Sequence, residues 1–530
     1  MENTYVLTYD IGTTGVKTCL FAINNKITLL KNSVRGYNLY VVENGGVEQD
    51  ADEWWQAMCE STAEVMSESK ISVDMIKGIS FCSQMQGMVL VDDKGNAIRR
   101  PMSYMDQRGT AEIKKYFANG IKLAGANAFK LLKAMYHTGV APASVKDPVW
   151  KYKWVEQHEN DIFKKAYKWL DVKEYLICRC TGKFVMTEDS AFATLLMDKK
   201  THNWSKPICK MLGVNLDHLA KIIKSTDEVG SLTSLAAKQL GLNENTIVFG
   251  GGGDASLIGL GSGCVEVGDT HIYSGTSGWV STITDKQSID IVNMVAGIQG
   301  AQTGKYNYFA EMETSGKCLE WVKNHLALDE INIYLKKEDV AESIETEYTS
   351  LYQYMTKVIE DVPAGSGGVI FTPWLHGNRC PFEDPAASGM FFNISLETGK
   401  TELIKAVLEG ICYHKRWMLE VEAAKVRVSD KIKFVGGGAL SSVTCQILAD
   451  ITGKEIETID QPQNVGAVGA AAIVGVGLKI IDTLEKIKEF IPITKTYVPN
   501  KSNKKIYDKH FEVFKTLYKN NKKAFHILND

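Results

Sequence analysis

Two stretches of the chain, about half its length apart, place short β-rich runs around a turn of glycine and small hydroxyl residues. In the first, such runs at 5–9 and 16–23 enclose Gly12-Thr13-Thr14-Gly15. In the second, runs at 271–274 and 279–283 enclose Gly275-Thr276-Ser277-Gly278. Glycine and hydroxyl residues between β-branched runs are typical of hairpin turns. The pattern therefore predicts two β-hairpins and a duplicated architecture.

Other segments carry apolar residues at three- and four-residue spacing, which predicts helices over 150–159, over 171–180 and from 400 onward. Strands alternate with helices through both halves of the chain, so an α/β fold with layered sheets and helices is expected. The Gly- and Ala-rich run 465–478 is too short to span a bilayer and predicts a buried helix.

The lysine-rich tail from residue 501 places four aromatic residues on one face of a helix: Tyr507, Phe511, Phe514 and Tyr518. We expect this helix to dock on its own domain with its lysines outward. A helix lying on a membrane surface is the alternative.

A glycine run, Gly250 to Gly253, follows the strand-like residues 246–249 and is the clearest break in the pattern. It predicts a first domain over residues 1–253 and a second over residues 254–530. With 530 residues, 45% of them hydrophobic, the chain can build the cores of two large domains.

Charge and cysteine usage narrow the range of partners and locations. The formal net charge of −3 gives no electrostatic reason to expect nucleic acid or an anionic membrane as a partner. Eleven cysteines without a CxxC pair, after an N-terminus that lacks a basic region, indicate reduced thiols in the cytoplasm. No histidine spacing matches a zinc motif, so no protein-ligated metal site is expected. A homodimer is compatible with this composition.

Four glycine-containing loops could carry chemistry. Asp10 precedes the first hairpin turn, and a carboxylate there can hold a hydrated Mg²⁺ beside backbone N–H groups that face a phosphate. The turn at Gly275–Gly278 offers the same hydroxyls and glycines. A third loop, Gly436-Gly437-Gly438-Ala439, leads from a strand into a helix N-terminus, where donors attract anions or polar rings. Taken singly, each loop can equally be a structural turn.

The fourth loop ends in Asp254, directly after the glycine run and at the start of a predicted helix. Phosphoryl transfer needs positioned phosphates, Mg²⁺ and a carboxylate that takes the proton of the acceptor hydroxyl. Asp254 is the candidate for that base, and an ordinary helix N-cap is its alternative role.

The same place in the chain also allows a dinucleotide-binding interpretation. Gly250-x-Gly252-x-x-Ala255 follows a strand, and Asp269 lies 19 residues beyond Gly250. A nicotinamide-dependent dehydrogenase is therefore an alternative, although it leaves the paired hairpins unexplained. The Walker A pattern of P-loop enzymes is absent from the sequence.

Several ordered motifs together resemble the FGGY family of carbohydrate kinases, and within it the xylulokinase branch. They run through nearly the whole chain: Asp10-Ile11-Gly12-Thr13-Thr14, Glu48-Gln49-Asp50, Gln84-Met85-Gln86-Gly87, Asp106-Gln107-Arg108, Gly253-Asp254, Gly275-Thr276-Ser277, Thr314-Ser315-Gly316, Gly377-Asn378-Arg379, Leu408-Glu409-Gly410 and Gly436-Gly437-Gly438-Ala439.

The resemblance implies a two-domain α/β fold of the actin/hexokinase-like ATPase (ribonuclease H-like) type, with the active site in the cleft between domains. It implies ATP and Mg²⁺ as cofactors, Asp254 as general base and Asp10 as the Mg²⁺ residue, acting through water. The nucleotide side would comprise Asp10, Gly12, Thr13, Thr14, Lys17, Gly275, Thr276, Ser277, Gly436, Gly437, Gly438 and Ala439. The sugar side would comprise Gln84, Met85, Gln86, Asp106, Arg108 and Asp254.

Within this family the sequence leaves the acceptor open. Gln86 stands where the xylulokinase branch usually carries His, and Gln cannot take a charge at neutral pH. The resemblance implies transfer of the γ-phosphate to a hydroxyl of a ketose such as D-xylulose. Ribulose, gluconate, erythritol and glycerol are the alternative acceptors. An actin-like ATPase without a sugar substrate is the alternative of another class.

Overall fold

The computed structural model describes residues 2–123, 125–326, 353–354 and 356–529. Within them the strands are β1 Thr4–Ile11, β2 Gly15–Ile23, β3 Ile27–Gly36, β4 Tyr40–Val42, β5 Gly46–Glu48, β6 Ile76–Ser83, β7 Val89–Val91, β8 Lys122–Leu123, β9 Ala126–Asn127, β10 Lys168–Leu170, β11 Val185–Thr187, β12 Lys221–Ile223, β13 Glu228–Ser231, β14 Ile247–Phe249, β15 Gly252–Gly253, β16 Thr270–Ser274, β17 Gly278–Thr284, β18 Ile289–Asp290, β19 Val295–Gln299, β20 Tyr306–Met312, β21 Ile370–Thr372, β22 Met390–Phe392, β23 Lys431–Val435, β24 Glu455–Ile459 and β25 Ile493–Tyr497.

The α-helices of the same residues are α1 Ala51–Ser69, α2 Thr110–Tyr116, α3 Ala128–His137, α4 Pro148–His158, α5 Asn160–Phe163, α6 Val172–Thr181, α7 Glu188–Ala193, α8 Lys206–Leu212, α9 Ser234–Leu240, α10 Asp254–Gly261, α11 Gly316–His325, α12 Lys400–Ala423, α13 Ser442–Thr452, α14 Val465–Gly477 and α15 Lys504–Asn529. The predicted helices correspond to α4, α6, α12, α14 and α15. None of the helices in the described part of the chain is both long and apolar enough to cross a membrane.

The chain forms two compact units. The first comprises Met1–Gly261, Ile298–Lys305 and Gly466–Phe490, and the second comprises Ser262–Gly297, Tyr306–Val465 and Ile491–Asp530. These units are discontinuous in sequence, whereas the predicted domains are continuous. The domain boundary at Gly253 therefore stays a prediction.

The first unit is built on a mixed sheet with the strand order β13-β14-β6-β1-β2-β3, and β15 also pairs with β6. β1 and β2 form the predicted first hairpin, and β1 runs parallel to β6 on its other side. Buried aromatic side chains of the sheet and helices, Tyr9, Trp54, Phe81 and Tyr175 among them, fill its core. The predicted strand-and-helix layering is confirmed in this half of the chain.

The second unit repeats this topology. Its sheet has the order β18-β19-β20-β17-β16-β23-β24-β25. β16 pairs antiparallel with β17 and parallel with β23, as β1 pairs with β2 and β6 in the first unit. The duplicated architecture predicted from the two hairpins is thus confirmed by strand order and direction.

The C-terminal helix α15 docks on the second unit, as expected from its aromatic stripe. Tyr507, Phe511 and Phe514 are buried in the core of that unit, and Tyr518 packs against its edge. Tyr507 also donates a hydrogen bond of 3.0 Å to the Glu409 carboxylate on α12. Lys509 is exposed, and Lys515 lies 4.6 Å from the ring centre of Phe511. The burial of the aromatic residues confirms the expectation of a docked terminal helix.

One local prediction is wrong. The strand-like run from Ile79 to Leu90 in the sequence predicts a single strand, which would place Gln84 and Gln86 on one face. Instead β6 ends at Ser83, and Gln86 adopts a left-handed backbone with φ of 64°. The reason is a tight turn whose backbone N–H groups bind a buried carboxylate, described below.

Candidate active site

Three parallel strands of the first unit bring candidate residues of the nucleotide side and of the sugar side to one edge of its sheet. Asp10 lies near the end of β1, Gln84 follows β6, and Asp254 follows β15. In the register, Asp10 and Gly252 both pair with Cys82 of β6, from opposite sides. Ligands of α/β sheets bind beyond the carboxyl ends of parallel strands, so this edge is the expected place for a site.

Electrostatics agree with this proximity. Burial, followed by the negative charges of Asp10 and Asp254, raises the pKa of the Cys82 thiol well above its usual range. Cys82 therefore stays a neutral thiol between two carboxylates. The first unit thus gathers two of the carboxylates that the sequence selected as catalytic and metal-binding candidates.

Asp254 is the first residue of α10 and is partly exposed. Its Oδ1 accepts the backbone N–H of Ala255 at 2.7 Å, so the N-cap role and the candidate catalytic role coexist in one side chain. The glycines before it are required by close approach: Gly251 has φ of 69°, and a Cβ at Gly253 would collide with the Met85 side chain. Met85 thereby lies against the turn that carries Asp254.

The first hairpin turn is fixed by side chains from elsewhere in the unit. The hydroxyl of Tyr37 donates to the carbonyl oxygens of Gly12 and Gly15, at 2.5 and 3.0 Å. Burial, and then the charge of Asp10, raises the pKa of Tyr37, which keeps this hydroxyl a donor. Thr14 is exposed and Thr13 half-buried, while Lys17 faces Asp10 in the strand register.

Two hydrogen-bonded glutamine side chains connect this turn to the sugar-side candidates. Gln49 Nε2 donates to the Thr13 carbonyl at 2.6 Å, and Gln84 Nε2 donates to Gln49 Oε1 at 3.0 Å. Gln84 Oε1 is buried and has no hydrogen-bond partner among the residues that the structure describes. A buried, unpaired acceptor is unfavourable unless a ligand satisfies it, so this oxygen fits a hydroxyl donor.

The turn after Gln84 is held by Asp171. Its two carboxylate oxygens accept the N–H groups of Gln86 and Gly87, at 2.8 and 2.9 Å. The Gln86 carbonyl accepts Lys151 Nζ at 2.9 Å. Burial lowers the pKa of Lys151 to about 8. The backbone of Gln86 is therefore clamped on both sides, while its side chain makes no hydrogen bond within the described chain.

Asp106 and Arg108 form a buried ion pair. Arg108 Nη2 binds Asp106 Oδ2 and Glu48 Oε1, each at 2.7 Å, and its guanidinium lies 4.3 Å from the ring centre of Trp154. Asp106 is fully buried and also accepts the Val47 N–H at 2.9 Å. These contacts hold the segment next to Gln49 in place, and direct sugar contact by either residue stays a prediction.

The second unit brings its two candidate nucleotide loops together. Gly436 has φ of 88°, and a Cβ there would lie 2.6 Å from the Ser274 carbonyl oxygen. A Cβ at Gly438 would lie 2.7 Å from the Ser274 side chain. Because Ser274 directly precedes the Gly275–Gly278 turn, the loop Gly436–Ala439 lies against that turn.

The N-terminus of helix α11 holds the second hairpin turn, Gly275–Gly278, through backbone hydrogen bonds. The N–H groups of Ser315 and Lys317 donate to the Thr276 carbonyl at 3.1 and 3.2 Å, and Gly316 N–H donates to the Gly275 carbonyl at 2.8 Å. Thr276 remains exposed and Ser277 half-exposed. Hydroxyls and backbone donors at an uncharged glycine turn suit the phosphates of a nucleotide.

Sequence reasoning missed the buried residues that hold these turns. Asp171 and Asp189 each lie at the start of a helix, where a lone Asp is usually a cap, and Lys173 lies on α6, most of whose residues are buried. Their signal was the presence of charge where the pattern predicts burial. In the part of the chain that is described, no cluster of three or more His, Cys, Asp or Glu side chains is placed to hold a metal by itself.

The sequence matches family models and related proteins over nearly its whole length. The model of the N-terminal domain of the FGGY family of carbohydrate kinases matches residues 5–261, and the model of its C-terminal domain matches residues 271–478. A xylulose kinase of Bacillus subtilis is 27% identical, over 98% of this chain and 97% of its own length. A gluconokinase of the same organism is 28% identical, over 96% of this chain and 94% of its own length.

Solved structures show the same fold. A gluconate kinase and a ligand-bound xylulose kinase, both from Lactobacillus acidophilus, superpose with TM-scores of 0.83 at 24% identity. Each comparison covers 99% of this chain, with 100% and 99% of the two relatives. The family assignment sets aside the dehydrogenase and actin-like ATPase alternatives. The chain therefore belongs to the FGGY family of carbohydrate kinases, which makes it an ATP-dependent carbohydrate kinase of the two-domain actin/hexokinase-like fold.

Proposed function

We propose that this enzyme transfers the γ-phosphate of Mg-ATP to a hydroxyl of a neutral ketose such as D-xylulose. The observation that carries the proposal is the edge of the first sheet, where Asp254 lies beside Met85 and the buried acceptor Gln84 Oε1 has no partner among the described residues. A ketose would satisfy Gln84 with a hydroxyl donor. Xylulose kinases and gluconokinases are both similar to this chain, so the choice between substrates rests on charge.

The charges on this side favour a neutral acceptor over a sugar acid. A gluconate carboxylate would require a cation, and two cations of the candidate acceptor side, Arg108 and Lys151, are engaged. Arg108 pairs with Asp106 and Glu48, and Lys151 Nζ donates to the carbonyls of Gln86 and Lys146. Breaking a buried ion pair to bind a carboxylate is unfavourable.

In the proposed reaction the acceptor hydroxyl attacks the γ-phosphorus while its proton passes to the Asp254 carboxylate. The bond between the γ-phosphorus and the bridging oxygen breaks, and ADP leaves with that electron pair. Asp254 suits this role because it is partly exposed and the glycine turn fixes its backbone. A positioned base of this kind contributes about 10²- to 10⁴-fold to the rate.

We assign the phosphates to both hairpin turns, through Gly12, Thr13, Thr14, Lys17, Gly275, Thr276 and Ser277, and the adenosine to Gly436, Gly437, Gly438 and Ala439. Asp10 would hold Mg²⁺ through water, since one carboxylate and hydroxyl oxygens fit a hydrated ion shared with phosphate rather than an all-protein cage. When bound, Mg²⁺ supplies charge neutralisation at the phosphates. Asp106 and Arg108 complete the sugar side.

We also propose the cytoplasm as the site of action. ATP is available there, and all eleven cysteines of the chain are free thiols, most of them buried. Thiols persist in a reducing compartment. A homodimer stays a prediction.

The test is ADP release from Mg-ATP with D-xylulose, D-ribulose, L-xylulose, gluconate, erythritol and glycerol as acceptors. We expect kcat/KM for D-xylulose to exceed that for gluconate by at least about a hundredfold, because a buried charge left without its partner costs about 3–5 kcal/mol. Gluconate as the best acceptor would overturn the charge argument but leave the kinase assignment intact. The Asp254→Asn variant serves as the blank for acceptor-dependent turnover.

A further inference from the structure

The first unit contains a fully buried group of charged side chains that no role above explains. It comprises Asp171 and the α6 residues Lys173 and Glu174, together with Asp189 on α7. All four side chains are almost completely buried, and they bring three acids to one cation. Burying such a group is unfavourable unless every charge is paired. We therefore expect these side chains to have a role in the fold or at the site.

Asp189 holds the turn that carries the candidate base. Its Oδ2 accepts the N–H of Gly253 at 2.8 Å, one residue before Asp254. Its Oδ1 accepts the N–H of Ser190 at 2.9 Å and the hydroxyl of Thr187. Burial alone would raise the pKa of Asp189, but Lys173, Thr187 and Gly253 together lower it below its usual value. Asp189 therefore remains an ionised acceptor.

Asp171 holds the other turn of the acceptor side. Both of its oxygens bind the N–H groups of Gln86 and Gly87, and Oδ1 also accepts Val172 N–H at 2.8 Å. A Cβ at Gly87 would lie 2.9 Å from Asp171 Oδ1. This position is glycine because the carboxylate approaches the backbone so closely.

Lys173 lies next to Glu174 and Asp189. Its Nζ donates to Thr187 Oγ1 at 2.7 Å and to Ser190 Oγ, pairs with Glu174, and lies 3.9 Å from Asp189 Oδ1. Its charge also acts on Asp171, whose pKa is raised to about 7 by burial and Glu174 and lowered by Lys173. One ammonium thus interacts with the acids that hold both turns.

We propose that Asp171, Lys173 and Asp189 form a positioning cluster, in which Asp189 sets the backbone of Asp254, Asp171 sets the backbone of Gln86, and Lys173 couples the two. The proposal rests on the function proposed above for Asp254 and Gln86. None of the three touches the reacting atoms, since each acts through a backbone N–H or another member of the cluster. The close approach of Met85 to the buried Gly253 also joins the same two turns.

The test uses the full-length enzyme and the best acceptor of the panel. In Asp189→Asn, an amide NH₂ or a neutral oxygen replaces the acceptor of Gly253. We expect kcat to fall about 30- to 100-fold, as for a displacement of about 1 Å at a reacting group, with both KM values within about twofold. In Asp171→Asn we expect KM for the sugar to rise about tenfold and kcat to change less.

A purely structural role would not produce this split. It would lower the active fraction and the Tm, and leave the KM values of the remaining enzyme unchanged. The matched control is Glu422→Gln, which alters a fully buried acid of the second unit that accepts the Thr282 hydroxyl. Equal losses in the control and in Asp189→Asn, or the absence of any split, would overturn the proposal.

Coupling through Lys173 has its own test. The double variant Asp171→Asn/Asp189→Asn is compared with the two single variants. If the two acids act as one cluster, the loss of kcat/KM in the double variant differs from the product of the losses in the single variants by at least about threefold. Strict multiplicativity would overturn the coupling. If Asp189→Asn does not fold, Thr187→Val and Thr187→Ser replace it, because only the first removes the hydroxyl that binds Asp189 and Lys173. We then expect lower kcat in Thr187→Val alone, and equal kcat in both variants would overturn the proposal.

Failure of this proposal is distinguishable from failure of the proposed function. Normal turnover in Asp254→Asn removes the base and with it the proposed mechanism. If Asp254→Asn is inactive and Asp189→Asn is fully active, only the proposal of the positioning cluster is overturned.

Discussion

The two hairpins of the molecule share a scaffold but differ in charge. Each first strand lies between an antiparallel partner and a parallel one, and each turn has the form Gly-Thr-Ser/Thr-Gly. Two residues before the first glycine, however, the first unit has Asp10 and the second has Tyr273, which stacks on Trp279 with ring centres 4.0 Å apart. At this position the second unit therefore has an aromatic side chain that packs against a neighbour, and the first unit has a carboxylate.

The parallel strands beside the hairpins differ in the same sense. β6 leads into Gln84 and a turn clamped by Asp171, whereas β23 leads into the uncharged loop Gly436–Ala439. The two units therefore share one framework and differ in the side chains at the strand ends. We interpret the charged edge as the acceptor side, with the Mg²⁺ and phosphate residues at its hairpin turn, and the glycine edge as the side of the adenosine and the remaining phosphate contacts, which the following variants separate.

The largest expected effect belongs to Asp254→Asn, which removes a base from the charged edge. We expect kcat to fall about 10²- to 10⁴-fold, because a neutral amide cannot take the hydroxyl proton, while ATP affinity changes by less than about twofold. Steady-state kinetics and the ATP-induced shift in Tm measure the two quantities. Asp217→Asn, within the short 3₁₀ helix Leu216–His218, is the control with unchanged kcat. Normal turnover in Asp254→Asn would remove the residue from this role.

The second effect belongs to Gly436→Ala, on the uncharged edge. A Cβ there faces both the positive φ and the Ser274 carbonyl, so the loop must shift. A strain of about 1–3 kcal/mol corresponds to a rise in KM for ATP of about 5- to 150-fold, and we expect KM for the sugar to stay unchanged.

Gly453→Ala is the matched control for that variant. Gly453 also has a positive φ, of 68°, but nothing lies within 4 Å of its Cβ position. It therefore reports the backbone penalty without the collision. A rise in sugar KM rather than ATP KM in Gly436→Ala would contradict the assignment of the two edges.

Much of this comparison could be predicted from the sequence, because turn chemistry and strand composition are local. The hairpins, the glycine loops and α15 follow from spacing alone. The left-handed backbone at Gln86 could not be predicted, since it depends on Asp171, which lies 85 residues away in the chain. Likewise Asp189 holds Gly253 across 64 residues, and no local pattern marks such a pairing.

A third variant, Gln86→His, tests how the charged edge selects its acceptor. The left-handed region tolerates His better than most residues, and the clamp on the backbone involves no side-chain atom of Gln86. We therefore expect a folded enzyme whose relative kcat/KM among ketoses and polyols shifts by about three- to tenfold. Gln56→His, on the exposed face of α1, should leave the profile unchanged. The same profile in both variants would mean that Gln86 does not contact the sugar.

The smallest effect on activity is expected from Glu409→Gln in the second unit, which contrasts with Asp171 in the first. Both are buried acids with a pKa raised to about 7, yet Glu409 binds Gly365, Ser366 and Tyr507, all of them away from the strand ends. Glu409 should therefore act on stability alone.

Burial is the main cause of the raised pKa of Glu409. Between the ordinary pKa of 4.5 and about 7, the folded protein holds a proton that the unfolded chain has lost. The free energy of unfolding therefore falls as pH rises through this window, by up to about 3 kcal/mol from this group. We expect the Tm of the wild type to fall more steeply than the Tm of Glu409→Gln between about pH 5 and pH 7, which lies within that window. We expect the two enzymes to have equal kcat. Glu397→Gln, an exposed acid, should keep the wild-type slope. A changed KM in Glu409→Gln would show that buried acids serve the site in both units, and the contrast between the two edges would then lie only in their exposed residues.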